Sequence, residues 1–183
     1  MRIISGRARG SNLFAPEGLD TRPTLDRVRE AIFSMIFTRV DDARVLDLFA
    51  GSGAMGLESL SRGAAEVDFV DISPKACDCV RKNLEKTRLP GGRISNSDFR
   101  TFLAKCNTPY DIIFLDPPYE AGYYDAALDM IKEKGLLADD GIIIAECNDP
   151  NGFDCRGFEI DRQKKYGKAS VYLLIHSHGG DSL

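Results

Sequence analysis

The 183-residue chain reads as an α/β fold: a mostly parallel sheet of seven strands, helices on both faces and an antiparallel hairpin at one edge. Three observations predict it. Short apolar runs alternate with helical periodicity along almost the whole length. The run Val45-Leu46-Asp47-Leu48-Phe49 passes into the glycine-rich stretch Ala50-Gly51-Ser52-Gly53-Ala54-Met55-Gly56 and then into Leu57 and Leu60 at helical spacing, which is strand, tight turn, helix. A second run, Ile112-Ile113-Phe114-Leu115, ends in Asp116-Pro117-Pro118-Tyr119. Both polar loops then lie beyond strand ends on one rim, where open α/β sheets bind ligands.

Taken in order, residues 1–22 read as a basic arm in which Arg7-Ala8-Arg9-Gly10-Ser11 combines charge with an apolar-poor path, and residues 5–22 are expected to be mobile. A helix over 24–38 carries Leu25, Val28, Ile32, Met35 and Ile36 at three- and four-residue spacing, a core-facing stripe with Arg27 at its edge. A strand over 44–49 and a helix over 54–62 follow. The next strand, 66–71, ends in Asp71, and Ser73-Pro74 opens a helix over 74–88 with a good capping residue and a proline at the first helical position. Asn96-Ser97-Asp98-Phe99 links a strand over 92–95 to a helix over 98–104. A strand over 110–115, a helix over 122–134 and strands over 141–146, 157–163 and 170–176 complete the sheet. The last two have no helical pattern between them and Tyr166-Gly167-Lys168 reads as a turn, hence the hairpin. One domain is expected over 23–178, with a flexible tail over 179–183.

Length allows one compact α/β unit and leaves no room for a separate target-recognition domain. Apolar content of 43% suffices for a core, and no stretch approaches the roughly eighteen apolar residues of a membrane span. The start, Met1-Arg2-Ile3-Ile4-Ser5-Gly6, is too short an apolar run for a signal peptide, so a cytoplasmic monomer is expected. Five cysteines without paired C-x-x-C spacing read as reduced thiols filling apolar space, and no metal is expected; His176 and His178 offer only two ligands in what reads as a frayed tail. Net charge is -4, but residues 1–40 hold seven arginines against four acids, a +3 arm on a -7 body. Arg2, Arg7, Arg9 and Arg22 on the arm, with Lys165 and Lys168 in a cluster that includes Arg162 and Lys164, are candidate phosphate contacts. The alternative is solvated surface charge, evenly balanced for the second cluster.

The chemistry of the two loops fits together. An exocyclic amine on a nucleobase is a poor nucleophile because its lone pair is delocalised into the ring. The Asp116 carboxylate and the Pro117 carbonyl can each accept one amine N–H, turning the lone pair toward an electrophile. Pro117 and Pro118 stiffen the loop and offer only acceptors, and Tyr119 offers a face for the base to stack on. A plain strand-to-turn junction would use similar residues. The glycine loop, with Ala50, Gly51, Ser52 and Gly53 against the ligand, satisfies G-x-G-x-x-G and would also fit a nicotinamide cofactor. Asp47 favours S-adenosylmethionine, since a carboxylate there suits an ammonium and repels a pyrophosphate. Asp71, twenty residues after Gly51, is spaced to reach ribose hydroxyls, with Ile72 beside it; a capping role for Asp71 or Ser73 is the alternative, and both can coexist. Asp98 can accept from an adenine amine while Phe99 covers the ring, or Asp98 caps its helix. Arg27 or Thr24 is a candidate for a methionine carboxylate, with a rim ion pair as the alternative for Arg27.

With these residues in place the chain resembles the bacterial RsmD-type methyltransferases of small-subunit ribosomal RNA. The resemblance rests on Asp47-Leu-Phe-Ala-Gly-Ser-Gly-Ala-Met-Gly-Leu-Glu58, Ser61-Arg-Gly-Ala64, Asp116-Pro-Pro-Tyr119, Arg2-Ile-Ile-Ser-Gly6, Arg9-Gly10 and Arg22-Pro-Thr24 followed by Asp26-Arg-Val-Arg-Glu30, and covers almost the whole chain. It implies a Rossmann-like class I S-adenosylmethionine-dependent methyltransferase. The implied reaction carries methyl to N2 of one guanine of 16S ribosomal RNA, at the position conventionally numbered 966, in naked RNA or an assembled subunit. It also implies Asp116, Pro117 and Tyr119 at the target base, and Asp47, Gly51, Gly53, Asp71 and Asp98 at the cofactor. An adenine-N6 methyltransferase is the nearer alternative, since the tetrapeptide suits any exocyclic amine. A non-catalytic or NAD-dependent nucleotide-binding module is the farther one.

Overall fold

A computed structural model describes residues 1–15, 23–118, 123–148 and 152–177, with the side chains of 23–25 outside the description. In chain order the elements are α1 (Pro23–Met35), β1 (Arg44–Asp47), α2 (Ala54–Ser61), β2 (Glu66–Asp71), α3 (Pro74–Thr87), β3 (Gly92–Asn96), α4 (Phe99–Lys105), β4 (Tyr110–Leu115), α5 (Tyr123–Glu133), β5 (Leu137–Cys147), β6 (Phe158–Tyr166) and β7 (Ala169–His176). The strands form one sheet in the order β3-β2-β1-β4-β5-β7-β6. The first five pair in parallel, and β7 enters antiparallel between β5 and β6. The expected turn at Gly167 closes the hairpin, with Gly167 at φ +62°.

Central strands are buried on both faces, and their side chains divide into two cores. Val45, Val67, Ile112, Phe114 and Ile144 face α1, α2 and α3, where they meet Val28, Ile32, Phe33, Leu57 and Val80. Leu46, Leu48, Ile113, Leu115 and Ala145 face α4 and α5, meeting Leu103, Leu128 and Ile131. Within the expected stripe of α1, Val28, Ile32 and Ile36 are buried, while Met35 is only partly so and Phe33 takes a core position instead. The helix stops at Met35 and a short 3-10 turn, Phe37–Arg39, replaces its expected last turn.

Three expectations are corrected. Residues 1–15 are not a free arm. They fold as a small hairpin bridged between Arg2 and Asn12, with Ile3, Ala8 and Leu13 buried. Its anchor is Glu58, wholly buried in α2, whose carboxylate accepts the Ile4 N–H at 2.8 Å, the Ser5 N–H at 3.0 Å and the Arg62 Nε–H at 2.7 Å. Asn83 of α3 clamps the far end, accepting from the Phe14 N–H at 2.8 Å and donating to the Phe14 carbonyl at 3.0 Å. β5 begins at Leu137, earlier than expected, because exposed Asp139 and Asp140 interrupt its apolar pattern while Leu137 still pairs with Tyr110 across a register shift. His176 is a strand residue, its ring 5.9 Å from that of Phe158, not part of a frayed tail. Residues 16–22 with Arg22, His178 and the expected tail over 179–183 lie outside the described residues.

Candidate active site

β1 delivers the chain to the glycine loop. Asp47, its last residue, is 4% exposed and accepts the Gly56 N–H at 3.0 Å. Gly53 takes the N-cap position of α2 at φ +77°, a backbone conformation that costs an L side chain and leaves glycine free. Gly56 lets the helix close on β2: a Cβ there would stand 2.2 Å from Phe69 Cε1. The loop is held from both ends. Gly51 N–H donates to Asp71 Oδ2 at 2.8 Å, and Asn83 Nδ2 donates to the Ser52 carbonyl at 3.0 Å. Asp71 Oδ1 accepts the Ser73 N–H at 2.8 Å, while the Ser73 hydroxyl accepts the Ala76 N–H and caps α3. Each Asp71 oxygen keeps further acceptor capacity toward the open side. Asp98 likewise caps α4 through the Arg100 N–H at 2.9 Å.

These ends surround a cavity of about 520 Å³, within the usual range for small-molecule sites. Of the expected cofactor residues, Asp47, Ala50, Gly51 and Ser52 line it from the first loop, Asp71 and Ile72 from the second, and Asp98 and Phe99 from the third. Gly53 shapes the turn from behind. Asp116 and Pro118 line the opposite side, and Pro117 is buried beneath them. Tyr119 lies outside the described residues, as does the side chain of Thr24. Arg27 is exposed and away from the wall, which removes it from the site as found.

Arg29, two residues on, lines the cavity instead. It is 4% exposed; one terminal amino group donates to the Arg2 carbonyl and, at 3.1 Å, to Asp26, while its buried Nε–H has no partner among the described residues. Burial holds its guanidinium below the ordinary arginine value. Phe49, Tyr123, Met1 and Glu146 also line the cavity and were not singled out in the sequence. Phe49 and Tyr123 stack with centroids 6.3 Å apart and planes 7° from parallel, Phe99 closes the cluster at 5.2 Å from Phe49, and the Arg100 guanidinium sits 4.4 Å over Phe99. The repeated aromatics in Phe49, Phe99 and Tyr123 were the available signal.

Electrostatics single out the acids. Burial pushes the Asp47 carboxyl up to about 7, with Asp71 adding to the rise and the Gly56 N–H opposing it. Asp116 opens onto the cavity, where water reaches it, yet protein surrounds it deeply enough that burial lifts it to about 7 as well, with Glu146 and then Asp47 adding repulsion. Burial also raises Glu146. A cavity with five acids on its wall (Asp47, Asp71, Asp98, Asp116 and Glu146) and one buried arginine at its edge suits a ligand that carries positive charge and one carboxylate.

The family model described as conserved hypothetical protein 95 matches residues 1–175. The chain belongs to this family. Among curated relatives, ribosomal RNA small subunit methyltransferase D of Escherichia coli K12 is 36% identical over 184 residues, covering all of this chain and 93% of that one. YlbH of Bacillus subtilis is 45% identical over 150 residues, 80% of this chain and 82% of that one. Among solved structures, yhhF from Escherichia coli superposes with a TM-score of 0.87 at 38% identity, covering 95% of this chain and 96% of that one. The fold is the Rossmann-like class I methyltransferase fold.

Proposed function

We propose that the protein transfers methyl from S-adenosylmethionine to the exocyclic N2 amine of a single guanine in small-subunit ribosomal RNA. The observation that carries the reading is Asp116, at the end of β4, facing into the same cavity as the glycine loop at the end of β1. The name of the Escherichia coli relative supports ribosomal RNA as the substrate class.

The wall fits the cofactor on its own terms. The Arg29 Nε–H, which has no partner among the described residues, would hold the methionine carboxylate, the role expected of Arg27, and Asp47 would face the ammonium. Asp71 would accept ribose hydroxyls while it fixes Gly51, and Phe99 with Asp98 would bound the adenine. The cofactor supplies an electrophilic methyl group on a sulfonium. Everything else is positioning. Asp116 and the Pro117 carbonyl accept the two amine hydrogens and direct the nitrogen lone pair, and holding the reacting groups in line can contribute roughly 7–11 kcal/mol. A carboxyl near 7 can also accept the proton that the alkylated amine must release.

The test is methyl transfer from labelled cofactor to small subunits and to naked 16S RNA lacking the modification, with digestion to nucleosides and mass spectrometry. N2-methylguanosine at one site is expected; N6-methyladenosine would replace the reading with its nearer rival. Asp116→Ala should abolish turnover and leave cofactor affinity in calorimetry nearly intact, and substantial residual turnover would reject the role given to Asp116.

A further inference from the structure

Glu146 is unused by the mechanism above, yet it occupies the wall of the same cavity. β4 and β5 pair Phe114 with Ile144 and Leu115 with Ala145, so Asp116 and Glu146 each follow the last of these pairs by one residue. Side chains alternate along a strand, and Phe114 and Ile144 face the α1 side of the sheet. Asp116 and Glu146 therefore leave neighbouring strands on one face. Along the rim the order of acids is Asp71 on β2, Asp47 on β1, Asp116 after β4 and Glu146 on β5. With strands about 4.8 Å apart, Glu146 stands two strands, about 10 Å, beyond the strand that carries the glycine loop. It is on the far side of Asp116 from the cofactor residues.

The strand end is fixed while the carboxylate is not engaged. The Tyr124 hydroxyl donates to the Glu146 main-chain carbonyl, and the Tyr124 ring stacks on Phe153 at 4.7 Å. Among the described residues no hydrogen bond or ion pair reaches the Glu146 carboxylate. Burial already raises its carboxyl, so a free acid here is costly unless a ligand uses it.

Resting on the reaction proposed above, we infer that Glu146 selects guanine, its carboxylate accepting the N1–H of the target base beside the amine held by Asp116. The donor pattern gives the reason. Guanine presents N1–H next to its N2 amine, so one edge offers adjacent donors to a pair of carboxylates. Adenine presents a lone pair at N1, which a carboxylate repels. Asp116 with Pro117 handles any exocyclic amine; Glu146 decides which ring the amine belongs to. It is a positioning and specificity residue and takes no part in the methyl transfer.

The experiment uses a small-subunit RNA ligated to carry guanine, 2-aminopurine or 2,6-diaminopurine at the methylated position. All three keep the 2-amino group, and only guanine has N1–H. The wild-type protein should prefer guanine by roughly tenfold to a hundredfold in kcat/KM, the range of a good base contact. Glu146→Gln offers an N–H where the carboxylate offers only lone pairs, so transfer to guanine should fall, transfer to the two analogues should hold or rise, and the preference should shrink to within about threefold. Cofactor affinity by calorimetry should match the wild type. An unchanged preference in Glu146→Gln, with N2-methylguanosine still the wild-type product, overturns the inference alone. So does a variant that loses cofactor affinity and keeps its base preference, which would assign Glu146 to the cofactor. Wild-type transfer to adenine would overturn the proposed reaction and this inference together.

Discussion

Burial lifts the carboxyls of Asp47 and Asp116 to about 7, and this gives pH two opposite effects. Both folded values lie above the unfolded ones. The stability that comes from keeping these groups neutral is therefore fully present below about 4 and is lost as pH rises through about 7. Ligand-free protein should show a higher Tm at pH 6 than at pH 8 on this account. The ammonium of S-adenosylhomocysteine needs the charged carboxylate, so its affinity should weaken as pH falls from 8 to 6, by up to about tenfold per pH unit below 7 for each proton displaced. Calorimetry from pH 6 to 8 checks it: a flat profile, or an equal slope in Asp47→Asn, would remove Asp47 from the ammonium site. At this scale the sequence was partly legible. Asp71 and Asp116 stand where the ends of apolar strands put them, Asp47 ends β1 and Asp98 caps α4 just beyond β3, so all four reach the same rim. Arg29 was missed because Arg27 and Arg29 flank Val28 at equal steps of about 100° around the helix. The apolar stripe identifies the buried face and cannot say which flank looks into the cavity.

Single elements show the same division. The glycine loop was readable because strand, turn and helix follow one another without a break, and its third glycine carries a stability consequence. Gly56→Ala would set a methyl group against Phe69 and Val67, at 2.2 Å and 2.8 Å before relaxation. Overpacking of this kind costs about 1–3 kcal/mol, so urea unfolding should shift by that amount. A neutral substitution would mean that α2 can slide on β2. The early part of β5 was hidden, since Asp139 and Asp140 break its pattern before the buried run from Gly141 to Ala145. β6 kept little apolar signal past Ile160 because Glu159 to Lys165 are exposed at the edge of the sheet, where charge also discourages pairing with another chain. The N-terminal hairpin was illegible for a different reason. Only three of its residues are buried apolar groups, and its fold depends on Glu58 and Asn83, polar side chains more than forty positions away in the sequence.

Across the whole molecule, a -7 body would repel RNA, and the exposed arginines of the hairpin offset this locally. Arg2, Arg7 and Arg9 stand on the surface of the docked hairpin, and the main chain of Arg2 touches Arg29 at the cavity. If each meets a phosphate, replacing all three with alanine should flatten the dependence of log affinity on log salt by about 2, at roughly 0.7 per contact with single strands. Anisotropy titrations on an RNA fragment over a salt series measure it, and parallel slopes for variant and wild type would place the RNA elsewhere. The general architecture was legible because strand and helix periods alternate, whereas the route of the first fifteen residues was not. That route has a consequence for how the protein is made. Residues 3–14 leave the ribosome long before Glu58 and Asn83, so the hairpin has nothing to dock on until α2 and α3 have been translated and seated. The basic segment stays unanchored through that interval, and the cavity edge formed by Met1 and Arg29 is assembled only after β1, α2, β2 and α3 have been made. A nascent chain stalled before α3 would carry the arginines without the pocket, so the capacity to hold RNA and the capacity to modify it would arise at different moments of synthesis.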